Sequence, residues 1–214
     1  MMPRLRQSGV TSFEPLPVGQ ALTLAWPTLN QTLFSQPDRF LSLTRANANY
    51  GKPGWTRDCG KRFHRGCDIA ALRPQATGLT TQVWFTDCAR ELEYPSDEPT
   101  FTVDEPIFAV ADGRVHEVNG EADRSELGQY VVLAHQWPGD GAAFYTLYAH
   151  LAQVAVVKGA AVRGGMELGL LGQTSASADA RNWMAIAPHL HFEVWNDLGQ
   201  AFDPLQFLVR WLAR

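Results

Sequence analysis

The chain has 214 residues, 45% of them hydrophobic and 11% aromatic, enough for one sizeable core with an extension. A formal net charge of -4 and a pI near 5.8 leave no broad basic field, which argues against nucleic acid or an anionic membrane as partner. No run of 18 apolar residues occurs, so no transmembrane segment is expected, and MMPRLRQSGVTSFEPLPVG lacks the apolar h-region and cleavage site of a secretory signal.

Residues 1 to about 50 read as an N-terminal extension, with LPVGQALTLAWP as a short strand and LNQTLFSQPDRFLSLTRA as a helix with polar breaks. NYGKPGWTRDCGKRFHRG is rich in Gly, charge and turn formers and reads as loop; its basic residues Arg62 to Arg65 read as local solvated charge. CDIAAL is a short strand. From Leu72 to Glu105 the character changes: TTQVWFT alternates as a strand does, RELEYPSDEPTFTVDE is acidic with two prolines, and the whole reads as an inserted hairpin or loop excursion. From Pro106 onward IFAVADGRVHEV, GQYVVLAHQW, AFYTLYAHL and HLHFEVW are short strands separated by turn signals at 112–113, 139–141, 158–159 and 164–165. FDPLQFLVRWLAR carries helical spacing and closes the chain as a capping helix. The fold class expected is mainly β: an antiparallel sheet or barrel-like core with short helices in the N-terminal extension and at the C-terminus.

Three cysteines, Cys59, Cys67 and Cys88, leave at least one thiol free. Cys59 and Cys67 flank His64, so they either form a short bracing bridge or stay ordinary thiols. No C-x2-C pair supports a cysteine zinc cluster.

The six histidines are 64, 116, 135, 150, 189 and 191. In HLHFEVW, side chains alternate faces, so His189, His191 and Glu193 share one face while Leu190, Phe192 and Val194 share the core face. Such a pair is either two exposed strand histidines or two imidazoles converging on a metal and its water. His64 and Asp68 stand four apart, which returns both to one face, with Gly66 between them allowing close approach of the backbone. They are either a loop ion pair or two ordinary zinc ligands. Catalytic zinc takes three protein ligands and keeps one position for water, and His64, Asp68 and one histidine of the H-x-H pair make three. Nucleophile schemes compete poorly: no G-x-S-x-G occurs, and Cys67 lies between the two candidate ligands.

HRGCDIAA, PIFAVADGRV, GQYVVLAH, YTLYAHL, a G-x-x-LGLLGQTS turn and PHLHFEVW follow one another in the order of the lysostaphin-like (LytM-type) zinc endopeptidases, which cut the peptide part of peptidoglycan. The chain resembles that family from about Tyr50 to Leu208, with the excursion at 72–105 outside the usual pattern. The resemblance implies Zn2+ as cofactor, held by His64, Asp68 and His191. It implies that His150 and His189 flank the water that attacks the amide, orienting or deprotonating it and stabilising the tetrahedral intermediate. His135 lies near the site in that pattern, where it either supports a ligand from behind or is a core histidine. His116 reads as a strand surface residue, Glu193 as a strand carboxylate beside a basic neighbour, and Trp183, Trp195 and Phe192 as core or rim.

The function expected is a zinc metalloendopeptidase hydrolysing peptide cross-links of peptidoglycan in the cell envelope, either periplasmic or secreted. Its peptidase domain would span 51–214 after an extension at 1–50, and either 1–50 or 72–105 would wall or cover the groove. Rival readings are a restrained family member regulating other wall hydrolases, and a zinc peptidase acting on a non-wall peptide. Oligomeric state is left open.

Overall fold

The computed structural model describes residues 9–42, 49–73, 75–79, 83–87, 92–96, 99–122, 124–175 and 188–212, with only the backbone described for the strands from 75 to 102. Cys88 and Trp183 lie outside the described residues.

The N-terminal segment departs from expectation. It contains one short helix, α1 (Pro37–Phe40), and otherwise joins the body through single bridges, Glu14 to Phe202, Leu24 to Leu212 and Leu41 to Ile69. Prolines 15, 17 and 27 interrupt any ladder, because proline supplies no amide hydrogen. The segment is held by scattered backbone bonds, such as Ala25 to Val110 and Phe108 to Pro27, and by side chains: Leu24, Leu33, Phe40 and Leu41 are buried in the main core.

The stretch read as loop forms a hairpin, β1 (Gly54–Arg57) with β2 (Arg62–His64), joined by a 3-10 turn at Asp58–Gly60. Asp58 and Cys59 both take positive φ there, a tight turn that the charge-rich sequence does not advertise. Cys59 is disulfide-bonded and Cys67 is a buried free thiol, so the short bridge between those two does not form. After β3 (Cys67–Ala70), the excursion consists of two antiparallel pairs: β4 (Gln75–Leu79) with β7 (Pro99–Thr102), and β5 (Val83–Asp87) with β6 (Leu92–Ser96). The strand pair β5–β6 thus lies between β4 and β7 in sequence.

The remaining strands are β8 (Pro106–Phe108), β9 (Gly113–Asn119), β10 (Gln129–Gln136), β11 (Ala143–Leu151), β12 (Gln153–Val154), β13 (Ala161–Val162), β14 (Glu167–Leu170), β15 (His189–Asn196) and β16 (Ala201–Phe202). Among the described residues, seven strands form the main sheet in the order β13-β9-β10-β11-β15-β16, with β3 sharing the outer side of β15. All its pairings are antiparallel. The sheet is open, so the barrel-like alternative does not hold among these residues. Strands β12, β14 and β8 form a smaller sheet.

Alternation divides the main sheet into two faces. Val131, Leu133, Phe144, Tyr148, Leu190, Phe192 and Val194 point into the large core with Ile107 and Leu168. Each fully buried Phe or Leu there stabilises the fold by about 2 kcal/mol. The helix α2 (Pro204–Trp211) covers this face with Phe207, Leu208 and Trp211; it starts where Asp203 accepts from the amides of Leu205 and Gln206, with Pro204 in the first turn. The opposite face carries a smaller cluster, Val132, Leu147, Ala149, Trp195 and Ala201, beside which the candidate site lies.

Candidate metal centre

Strands β3 and β15 pair with Asp68 opposite His191 and Ala70 opposite His189, so the sheet register itself brings the carboxylate to the imidazoles. The adjoining hairpin strand β2 ends on His64. All three side chains are buried: His64, Asp68 and His191 are 5%, 0% and 7% exposed. Gly66 is required between them, because a Cβ there would lie 2.4 Å from Cε1 of His191.

The three candidate ligand atoms form a compact triangle. His64 Nε2 is 3.2 Å from His191 Nδ1, His191 Nδ1 is 2.9 Å from Asp68 Oδ1, and His64 Nε2 is 3.3 Å from Asp68 Oδ1. A tetrahedral zinc with bonds of about 2.0–2.1 Å spaces its ligand atoms about 3.3 Å apart. The residues present therefore fit such an ion, and the two-imidazole, one-carboxylate set suits its chemistry.

The outer contacts orient these donors. His64 Nδ1 donates to the carbonyl of Lys52 at 2.8 Å, which directs Nε2 at the triangle. His191 Nε2 bonds Glu193 Oε1 at 2.9 Å, and Trp195 Nε1 donates to Glu193 Oε2 at 2.7 Å. Glu193 is the expected strand carboxylate beside a basic neighbour, Arg65 at 3.8 Å, and it is also a buried partner of a candidate ligand. The i, i+2 spacing of His189, His191 and Glu193 was the sequence signal for this role. Arg57, also buried, donates through Nη2 to Asp68 Oδ2 and stands 2.9 Å from His64 Nε2. No motif in the sequence pointed to it.

Opposite charges at the site offset the cost of burial. Burial would raise the Asp68 carboxyl, but the charges of Arg57, His64 and His189 and the bond from His191 outweigh it and hold Asp68 well below the usual carboxylate range. Burial would lower His191, yet its bonds to Asp68 and Glu193 push it up to about 9. A proton on His191 and the Arg57 guanidinium supply positive charge that this donor set attracts.

His150 reaches the same face by a local irregularity. Alternation along β11 would send it to the core with Tyr148, but the β10–β11 register shifts between Gln129 and Tyr130, and His150 takes φ +63. Its ring lies 5.2 Å from that of His189 and 5.7 Å from that of His191. Its Nδ1 bonds the carbonyl of Thr174 at 2.8 Å, so the neutral ring keeps its lone pair on Nε2. Burial, reinforced by His189 and His191, holds His150 well below the usual histidine range. His189 Nε2 lies 3.8 Å from Asp68 Oδ2.

His135 belongs elsewhere: it bonds the carbonyl of Asp112 and the hydroxyl of Thr146, both at 2.8 Å, on the core side of the sheet. His116 packs against Tyr145. A groove of about 550 Å³ opens at the centre, lined among others by His64, His150, His191, Arg57 and Trp55, with Gly9, Val10 and Thr11 of the N-terminal segment on its wall.

Residues 100–204 match the family model described as Peptidase family M23; this segment contains His150, His189 and His191, while His64 and Asp68 precede it. An "Uncharacterized metalloprotease" of Haemophilus influenzae is 35% identical over 100 residues, which is 47% of this chain and 18% of the relative. The chain therefore spans about a fifth of the length of that curated relative. Among solved structures, the catalytic domain of lysostaphin from Staphylococcus simulans is 22% identical with a TM-score of 0.46, covering 75% of this chain and 90% of that one. A structure described as a peptidase M23 from Pseudomonas aeruginosa is 22% identical with a TM-score of 0.42, covering 78% and 50%. Over residues 100–204, this chain is similar to peptidase family M23, in agreement with its metalloprotease relative.

Proposed function

We propose that this protein is a zinc metalloendopeptidase that hydrolyses peptide cross-links of bacterial peptidoglycan, working in the cell envelope. In this reading His64, Asp68 and His191 hold Zn2+, and His150 and His189 are the catalytic residues. The peptidase unit is 51–214, with 1–50 as an extension and 72–105 as an insertion. The observation that carries the reading is the triangle of His64 Nε2, Asp68 Oδ1 and His191 Nδ1, its edges 2.9 to 3.3 Å, with two further imidazoles packed beside it.

When bound, zinc would supply Lewis-acid polarisation of the scissile carbonyl and an acidified water. The rest falls to the chain's own groups. His150, anchored through Nδ1 on Thr174 and neutral at pH 7, presents Nε2 as the proton acceptor. His189, beside it, donates toward the oxygen on which negative charge develops. Glu193 holds the His191 ring in the orientation that turns Nδ1 toward Asp68. In this reading the substrate peptide lies in the groove beside these groups.

The test is digestion of purified peptidoglycan by the zinc-loaded protein, followed by mass spectrometry of the products. New termini within stem or cross-bridge peptides, absent with His150→Ala, are expected. Cleavage of unrelated peptides with intact wall would reject the substrate. A second reading, a restrained family member, draws on Gly9, Val10 and Thr11 at the groove wall. It predicts an inert full chain that gains activity when residues 1–12 are removed.

A further inference from the structure

The two oxygens of Asp68 face different surroundings. Oδ1 belongs to the triangle with His64 and His191. Oδ2 points away from it, to Nη2 of Arg57, with His189 Nε2 at 3.8 Å. Arg57 comes from β1, is 4% exposed, and lies with its guanidinium 3.7 Å over the ring of Tyr50. Its Nη1 is buried without a hydrogen-bond partner, an arrangement unfavourable for the arginine itself. The guanidinium is therefore fixed by what it does for Asp68 and His64, since its own hydrogen bonding is incomplete.

A carboxylate beside a dication can bind through one oxygen or through both. Two-oxygen binding would fill the position that a catalytic site leaves open for water. A charge-assisted hydrogen bond from a rigid, stacked guanidinium to one oxygen opposes that choice. Arg57 Nη2 also stands 2.9 Å from His64 Nε2, the atom that completes the triangle, so one guanidinium nitrogen borders two of the three candidate ligands.

We propose that Arg57 is a positioning residue of the metal centre: by engaging the outer oxygen of Asp68 it restricts this ligand to its inner oxygen and so keeps one coordination position open. The proposal rests on the assignment of His64, Asp68 and His191 as ligands. It gives the β1–β2 hairpin a role beyond carrying His64, because β1 brings the cation that sets how Asp68 binds.

The experiment uses the full chain loaded with Co2+, whose visible absorption is several-fold more intense in four-coordinate than in five- or six-coordinate sites. Wild type, Arg57→Met and Arg57→Lys are compared in absorption and in melting temperature without metal. Wild type is expected to give intense, four-coordinate bands. Arg57→Met loses both intensity and about 10 °C of metal-free Tm, because a buried carboxylate has lost its cation. Arg57→Lys keeps the charge and a Tm near wild type but still loses intensity, because an ammonium lacks the planar fork. Full wild-type intensity in Arg57→Lys would overturn the proposal and leave Arg57 a counter-ion; this variant decides the matter even if Arg57→Met does not fold. Failure of wild type to bind Co2+ any better than His64→Ala would instead reject the metal assignment beneath it.

Discussion

His135 on the core face of the main sheet and His191 on the site face are buried to a similar depth and yet shift in opposite directions. On the core face, His135 sits in a neutral chain of hydrogen bonds: the carbonyl of Asp112 on one nitrogen, then the hydroxyls of Thr146 and Tyr148, and the amide of Val110 donating to Tyr148. Burial lowers it to about 4. On the site face, His191 is bonded by two carboxylates that outweigh burial and push it up to about 9. Desolvation is common to both; the partners determine the sign. Carboxylate partners set His191 apart from His135, and from His150 on its own face, whose carbonyl partner leaves burial in control.

The largest test of this contrast removes a group from the site face alone. His150→Ala should reduce peptide hydrolysis about 10³-fold while zinc remains bound at one equivalent. Loss of the metal together with activity would show that His150 belongs to the ligand set, and the division of roles would fall.

Next in size is the pH dependence of stability. The folded His135 lies below its unfolded value of about 6.5, so its contribution is complete above pH 6.5 and is lost as pH falls through about 4. That loss amounts to about 3 kcal/mol. His191 runs the other way in the metal-free protein: its contribution is complete below about pH 6.5 and is lost as pH rises through about 9. Urea unfolding of the metal-free protein from pH 4 to 9 should therefore show stability rising and then falling. In His135→Gln the acid limb should flatten and the alkaline limb persist. An acid limb unchanged by that substitution would mean that other groups produce it.

The smallest expected effect sharpens the role of Glu193. Glu193→Gln keeps a hydrogen-bond partner for His191 but removes the charge, and zinc affinity measured by chelator competition should weaken about 10- to 100-fold. An unchanged affinity would return Glu193 to a packing role with Trp195.

Much of the site was legible because two local periods encode it. The alternation in HLHFEVW correctly separated His189, His191 and Glu193 from Leu190, Phe192 and Val194, and the four-residue spacing of His64 and Asp68 put both at one centre. The strands after Pro106 were legible for the same reason, their apolar residues repeating with period two. What escaped was set by tertiary contacts. Alternation in YTLYAHL gives the wrong face for His150, and only the resemblance to a known family singled it out; the register shift that turns it depends on pairing with β10. Arg57 sits in a segment whose glycines and charges suggest loop, and its partner Asp68 lies eleven residues onward. Leu24 and Phe40 belong to the core without belonging to regular strands or long helices, because single bridges and buried side chains hold that segment.

The irregularity at His150 has a consequence for how such a sheet can change. A regular strand has a fixed parity: every residue given to one face is withheld from the other. One extra residue at the bulge inverts that parity, so Tyr148 faces the core, Ala149 the opposite face, His150 the site, and Leu151, fully buried, returns to the core. Pairing of this same sequence without the bulge would swap the faces of His150 and Leu151, whereas substitutions at Ala149 leave the phase intact. In sequence libraries built on this strand, register is therefore the constrained variable and composition the freer one.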